Sequence, residues 1–464
     1  MTRYSVVGLG KLGASMAAAI ASRGFPVFGV DVDERTVALF NDGQAPVQET
    51  NLAELIADNR DRLRSSTSLY DAVATSDVTF VVVPTPSDEN GAFSIEYAAA
   101  AFGELGRALA GKEEYHLIVL TSTVLPGSTR YGLLPILESE SGKRCGADFG
   151  LCYSPEFIAL GSVIHDFLNP DFLLIGESDE RAGSRLERCY AEIIENGAPS
   201  RRMSFENAEL TKIALNAYVT TKITFANMLA DLCERIPGGD VDIVSDALGL
   251  DKRIGRSYLT GGLGFGGPCF PRDNLALARF AEMVETTADI PLATHAVNEE
   301  IASRLVDRLT GVVSRGTRVG VLGLAYKPLS QVVEESQGLA IARELGRRGA
   351  QVIGFDPLAA RAARAELDGA VAVVDSLEEC LAVDVLVIAT PDPAFKCLTM
   401  EQLTRNGVDV VVDCWRMLAD LLGEQSVVRY YAVGRSAEEV ANATRLRELC
   451  LPASSRTALG DRFL

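Results

Sequence analysis

The sequence predicts an α/β protein with two Rossmann-like, doubly wound domains joined by a long central helix. Three observations predict it: a glycine-rich turn between a short apolar strand and a helix near residue 10, the same order of apolar strands returning past residue 315, and a long amphipathic stretch between the halves. The strand signals are apolar runs alternating with helical stretches, which is how a parallel sheet covered on both faces reads. The 464 residues allow two to four domains at the usual ~100 to 200 residues each.

In chain order, Tyr4-Ser5-Val6-Val7 runs into Gly8-Leu9-Gly10-Lys11-Leu12-Gly13 and an alanine-rich helix. That is the strand, turn and helix context a dinucleotide fingerprint requires. Glycine at position 10 lets a pyrophosphate approach the backbone, and the helix start turns its partial positive end toward it. A second strand over Val27–Val30 ends at Asp31, whose carboxylate can accept both ribose hydroxyls of an adenosine and repels a 2′-phosphate. NAD is therefore expected over NADP. Further strands are legible over residues 78–83, before Pro84-Thr85-Pro86, and 117–120, before Thr121-Ser122-Thr123. The second set covers 318–324, 352–356, 385–391 and 408–413. Between them, residues 205–236 read as one helix of ~48 Å at 1.5 Å per residue, with apolar positions including Leu210, Ile213, Ala217, Phe225 and Leu232 and a stop at Pro237-Gly238-Gly239. A rod of this kind can carry both a domain interface and a subunit interface. The expected division is an N-terminal NAD-binding Rossmann domain over 1–198, a central helical, cysteine-bearing region over 199–305, and a C-terminal Rossmann-like domain over 306–464; the tail after Cys450 reads as frayed.

Composition narrows the partners. With 47% hydrophobic and 23% charged residues the chain is a packed globular protein rather than a disordered or fibrous one. The balance of 44 Lys+Arg against 63 Asp+Glu, a net charge of −19, disfavours nucleic acid and anionic lipid by charge alone. No apolar run approaches the ~20 residues that span a bilayer, and the start lacks a secretory pattern, so no membrane partner and a cytoplasmic location are expected. Nine cysteines without a C-x-x-C pair fit reduced thiols, and three distant histidines offer no zinc-ligand spacing, so no metal is expected.

Chemistry concentrates in Gly261-Gly262-Leu263-Gly264-Phe265-Gly266-Gly267-Pro268-Cys269-Phe270-Pro271-Arg272-Asp273. Five glycines in seven residues make a backbone able to wrap a ligand closely. Pro271 suits the first turn of a helix over 272–283, which puts Cys269 just before a helix N-terminus, where a thiol's pKa falls and its nucleophilicity at neutral pH rises. On the long helix Lys212 and Asn216 are four apart and share a face, with Asn227 on a similar stripe. A cation and an amide one turn apart can hold an oxyanion; a solvated polar face fits the same pair, and the helix alone favours that plainer reading.

Taken in order, Gly8 to Gly13, Asp31, Val83-Pro84-Thr85-Pro86, Ser122 to Thr129, Ser154-Pro155-Glu156-Phe157, Glu209 to Asn216 and Gly264 to Asp273 resemble the UDP-glucose/GDP-mannose dehydrogenase family over nearly the whole chain. The block Gly264-Phe265-Gly266-Gly267-Pro268-Cys269-Phe270-Pro271-Arg272-Asp273 carries most of the specificity and looks more like the UDP-glucose branch than the N-acetylmannosamine one. The resemblance implies dimerisation through the central helix and oxidation of a sugar C6 alcohol to the carboxylate with two NAD. It implies roles too: Cys269 as nucleophile, Asp273 as base with a water, Lys212 and Asn216 on the oxyanion, Thr123 and Glu156 on the hydrolytic water. Gly8, Gly10, Lys11, Leu12, Gly13, Asp31, Pro84, Thr85, Thr123 and Arg272 correspond to the cofactor side. Glu156, Phe157, Lys212, Asn216, Arg253, Tyr258, Leu259, Gly264, Phe265, Gly266 and Lys327 correspond to the nucleotide-sugar side.

Two positions depart from the family pattern: Leu160 stands where a second carboxylate is usual, and Glu334 where an arginine is usual. The family's C-terminal arginine is displaced by one, which makes Arg416 a diphosphate candidate. The expected activity is oxidation of UDP-glucose to UDP-glucuronate in a homodimer. The alternatives are GDP-mannose, a UDP-N-acetylhexosamine or a dTDP-hexose as substrate, a 3-hydroxyacid dehydrogenase, or a binding protein that has lost turnover.

Overall fold

The computed structural model describes residues 1–423, 427–437 and 439–450. The frayed reading of the tail after Cys450 falls outside them. The chain divides into two bodies, Met1–Leu215 with Ala276–Thr287, and Asn216–Leu275 with Ala288–Leu464.

In the first body β1 (Tyr4–Val7), β2 (Val27–Val30), β3 (Leu63–Ser66), β4 (Val78–Val81), β5 (His116–Leu120), β6 (Phe149–Tyr153), β7 (Leu173–Glu177) and β8 (Ser200–Met203) form one sheet. Its order is β3-β2-β1-β4-β5-β6-β7-β8. All neighbours are parallel except β6 with β7. Every residue of β1, β4 and β5 is buried, as a strand covered on both faces requires. Strand order reverses between β1 and β4, so the carboxyl ends of these two strands open the crevice where doubly wound sheets take their ligands.

The second body repeats the arrangement with β9 (Arg318–Leu322), β10 (Gln351–Phe355), β11 (Ala372–Val373), β12 (Val385–Ile388), β13 (Val410–Asp413) and β14 (Arg429–Ala432). Its described strands run in the order β11-β10-β9-β12-β13-β14, all parallel. The strands read from the sequence are all present: β1 and β2 have the expected bounds, β5 begins one residue earlier, β4, β9, β10 and β12 end one to three residues earlier where the loop departs, and β13 begins later. The edge strands β8 (Ser-Arg-Arg-Met) and β14 were not legible, because they carry no buried apolar run.

The central helix spans Phe205–Cys233 without glycine or proline. It stops three residues before the expected end: Arg235 and Ile236 turn back onto the carbonyls of Leu232 and Cys233. Of the apolar positions read from its periodicity, Ile213 and Ala217 are buried while Leu210, Phe225 and Leu232 are exposed in the single chain. A second helix, Phe270–Met283, begins two residues earlier than expected, with Pro271 in its first turn. Among the described residues no helix is long and apolar enough to cross a membrane.

Candidate active site

The turn after β1 is shaped by close backbone contacts. Gly8 has φ +92°, and a Cβ there would lie 2.2 Å from the Val82 carbonyl oxygen; at Gly13 it would lie 1.7 Å from the Gly8 oxygen. Both positions exclude any side chain for reasons internal to the fold. Gly10 differs: a Cβ there meets nothing within 4 Å. It is the N-cap of the helix Lys11–Ser22, and no side chain caps that end. An uncapped helix N-terminus beside open space is what an anion such as a pyrophosphate needs. Asp31 leans into the same turn, its Oδ2 accepting from Leu9 N at 2.8 Å and its Oδ1 from Asp33 N at 3.0 Å. The loops after β4 and β5 are laced together: Thr85 Oγ1 donates to the Thr123 carbonyl at 2.7 Å, and Ser122 Oγ accepts from Val83 N at 2.9 Å. Pro84, Thr85 and Thr123 thus line the crevice end that also holds Gly8 to Gly13. The residues fit NAD.

Three further site residues converge in the first body. Lys212 is buried; its Nζ donates to the Glu156 carbonyl oxygen at 2.7 Å and lies 4.5 Å from the centre of the Phe157 ring. Tyr190 donates to Glu156 Oε1 at 3.3 Å. Burial pushes the Glu156 carboxyl up to about 7, with the Tyr190 hydrogen bond and the Lys212 charge pulling the other way. Near neutral pH this group exchanges a proton readily, as a general base should.

In the second body Asn216 Nδ2 donates to Asp273 Oδ2 at 2.6 Å, and both are buried. Asp273 also lies 3.7 Å from the Arg272 guanidinium. Cys269 is exposed, and its carbonyl accepts from Asp273 N at 2.8 Å, which makes it the N-cap residue of the helix Phe270–Met283. Seven other cysteines are buried, half-buried or outside any such position; Cys397 sits in a short turn over Pro393–Cys397. Lys212 and Asn216 stand on successive turns of one continuous helix, so the plain reading of them as a solvated face fails: neither is solvated.

The glycine segment is the main revision. Its glycines are demanded by the protein itself. A Cβ at Gly262 would strike the Cys414 carbonyl and the Trp415 ring, at Gly264 the Asn298 amide, at Gly266 the Glu335 carbonyl, and at Gly267 the Tyr326 ring. Two asparagines hold the segment by paired bonds: Asn227 to Gly262 N and the Leu263 carbonyl, and Asn298 to Phe265 N and the Phe265 carbonyl. Asn298 escaped sequence reasoning, since a lone asparagine on a helix gives no signal until its partner loop is placed. Leu259 is buried and Tyr258 exposed with φ +64°. Arg253 is mostly exposed and forks onto Asp251 at 2.6 to 3.2 Å; Lys327 Nζ lies 5.8 Å from the Tyr326 ring centre.

Arg416 is corrected outright. Its guanidinium is buried and committed to Asp242, to the Val433 carbonyl and to the Gly261 carbonyl at 2.6 to 2.9 Å. A diphosphate would have to displace these bonds. The Leu160 loop is tied instead through Glu49, whose carboxylate accepts from Gly161 N at 3.0 Å. The Glu334 carbonyl accepts from Gly267 N.

Comparison with known proteins follows the same outline. Three sequence models of the UDP-glucose/GDP-mannose dehydrogenase family match: the NAD binding domain over residues 2–194, the central domain over 206–300 and the UDP binding domain over 320–420. The UDP-glucose 6-dehydrogenase AglM of Haloferax volcanii is 37% identical, over 86% of this chain and 93% of that one. The GDP-mannose 6-dehydrogenase of Azotobacter vinelandii is 33% identical, over 86% of this chain and 94% of that one. The solved UDP-glucose dehydrogenase of Pyrobaculum islandicum superposes with a TM-score of 0.83 at 37% identity, over 94% of this chain and 98% of that one. With its uncapped glycine turn, its buried Lys212 and Asn216 and its cysteine at a helix start, the chain belongs to the UDP-glucose/GDP-mannose dehydrogenase family of NAD-dependent enzymes.

Proposed function

We propose that this protein oxidises the C6 alcohol of UDP-glucose to the carboxylate in two NAD-dependent steps. The observation that carries the reading is Cys269 at the N-cap of a helix whose first turn holds Asp273, itself hydrogen-bonded to Asn216. UDP-glucose is favoured over GDP-mannose because the relatives named for it include those at 37% identity, against 33% for the GDP-mannose relative above.

When bound at the turn Gly8 to Gly13, with Asp31 on its adenosine ribose, NAD supplies the hydride acceptor. The chain's own residues do the rest. Asp273, through a water, takes the alcohol proton; Lys212 and Asn216 donate to the sugar oxygen as negative charge gathers there. The Cys269 sulfur adds to the aldehyde carbon and holds the half-oxidised sugar as a thiohemiacetal, then as a thioester. Glu156, with its carboxyl near 7, takes a proton from the water that cleaves the thioester and frees the thiol, and Thr123 helps to place that water. Arg253, Tyr258, Leu259, Gly264, Phe265, Gly266 and Lys327 hold the nucleotide sugar.

The second body also leaves Tyr218, Phe225, Met228 and Leu232 exposed along the central helix. At spacings of three, four and seven these fall on one side of a helix, and the occupant that fits is a second copy of the chain in a homodimer. Nine cysteines in no disulfide agree with action in the reducing cytoplasm.

The test is a panel of UDP-, GDP- and dTDP-sugars followed by NADH absorbance. Two NADH per UDP-glucose, with slower turnover of the others, is the expected result; one NADH per sugar, or none on any sugar, overturns the reading.

A further inference from the structure

Glu209 belongs to the sequence block that carries Lys212, yet none of the roles above uses it. It lies one turn before Lys212 on the central helix and is fully buried. Both oxygens are engaged by backbone: Oε2 accepts from Gly127 N at 2.6 Å and Oε1 from Thr129 N at 2.8 Å. Gly127, with φ +91°, opens a π-helical turn over Ser128–Leu133. That turn directly follows the loop in which the Thr123 carbonyl holds Thr85. A half-exposed second tie runs beside it, Arg130 Nε to Glu206 Oε1 at 2.5 Å, with the Arg130 guanidinium 5.0 Å from the Phe205 ring.

A buried carboxylate is an expensive way to fill space, because desolvation penalises the charge unless hydrogen bonds replace the lost water. Here burial raises the Glu209 pKa while the Thr129 and Gly127 contacts oppose it. A leucine would pack as well and could not bind two amides. Two charge-assisted bonds from one side chain also fix the loop in direction as well as distance.

We propose that Glu209 is a positioning residue that locks residues 123–129 to the helix bearing Lys212, so that the cofactor crevice and the oxyanion donor keep one register through both oxidations. The inference rests on the function proposed above. Glu209 touches no reacting atom; it acts through Thr123 and Lys212, both in the same body.

The experiment uses the full chain and the variants Glu209→Gln, Glu209→Asp and Glu206→Gln, read by steady-state kinetics and by backbone deuterium exchange over residues 121–131. Glutamine keeps the shape but offers one oxygen and sets an NH2 group against an N–H. Glu209→Gln is expected to lower kcat about tenfold or more, the scale of losing a hydrogen bond to a charged group, with KM for UDP-glucose within about twofold and faster exchange at Gly127 and Thr129. Glu206→Gln should keep kcat within about twofold. A Glu209→Gln enzyme that turns over like the parent, or that loses only thermal stability, overturns the proposal, as does unchanged exchange at the two amides. If glutamine prevents folding, Glu209→Asp decides, since it keeps the charge and withdraws it by one methylene: full activity there overturns the proposal. A parent enzyme inactive on every nucleotide sugar removes the function and not the lock, which the exchange measurement still judges.

Discussion

The two doubly wound bodies use the same turn for opposite ends. In both, a strand ends at a glycine with φ near +90°, Gly8 and Gly323, and a helix glycine packs on that residue's carbonyl: a Cβ at Gly13 would lie 1.7 Å from it, and at Gly338 2.1 Å. In both, the next strand ends at an aspartate. The first turn closes within five residues and leaves its helix uncapped at Gly10. The second takes fifteen residues, and the Ser336 side chain caps the helix Gln337–Arg347 by accepting from Leu339 N. Asp31 accepts two backbone bonds and keeps solvent contact; Asp356 is buried and accepts four, from Leu324, Ala325, Leu358 and Ala359. A phosphate-binding turn and a structural turn therefore differ less in their glycines than in what already occupies the helix end and the carboxylate.

That contrast can be broken or sharpened by mutation. The largest effect is expected where the second body contributes chemistry: Cys269→Ser should cut net acid formation by about a thousandfold or more while NAD binding, a property of the first body, stays within about twofold by fluorescence titration. Uronate formation at the parent rate would remove the nucleophile. Next comes the paired comparison of the aspartates. Asp356→Ala strands buried N–H groups, each costing ~1 to 3 kcal/mol, so chemical denaturation should show several kcal/mol lost or no folded protein. Asp31→Ala should barely move stability, yet weaken NAD binding about tenfold, at ~1.4 kcal/mol, and narrow the preference over NADP. If both aspartates behave alike, the distinction between the turns fails. The smallest effect is a pH dependence. A base with its pKa near 7 must be ionised to act, so thioester hydrolysis should rise from pH 6 to 8 and flatten above it, and Glu156→Gln should lose that limb. Because the folded-state pKa is raised, ionisation of Glu156 opposes folding as pH climbs through 7; the glutamine variant should gain stability against the parent at pH 8 and not at pH 5.

How much of this was legible follows from what sequence period can report. The strands bordering both switch points were readable because burial on two faces writes apolar runs, unbroken in β12 and interrupted only by Thr79 in β4. Strands β6 and β7 were not read from the sequence, and with them went the one antiparallel pairing, since Phe-Gly-Leu-Cys-Tyr carries no β-branched signature. The cofactor turn was legible because Gly10 and Asp31 sit in fixed register with the strands β1 and β2, at the spacing a dinucleotide site requires. The glycines at 262–267 misled in part, because a sequence cannot distinguish a backbone that must approach a ligand from one that must approach Trp415, Asn298 and Tyr326. Arg416 misled for the same reason: its partner Asp242 is 174 positions away.

The unbroken helix Phe205–Cys233 has one more consequence. Each added residue would rotate everything beyond it by about 100°, so a single insertion between Lys212 and Asn216 would take the two side chains off the face of the helix they share. Of the three intervening positions Ile213 is held by the core, and their number, more than their chemistry, acts as a ruler.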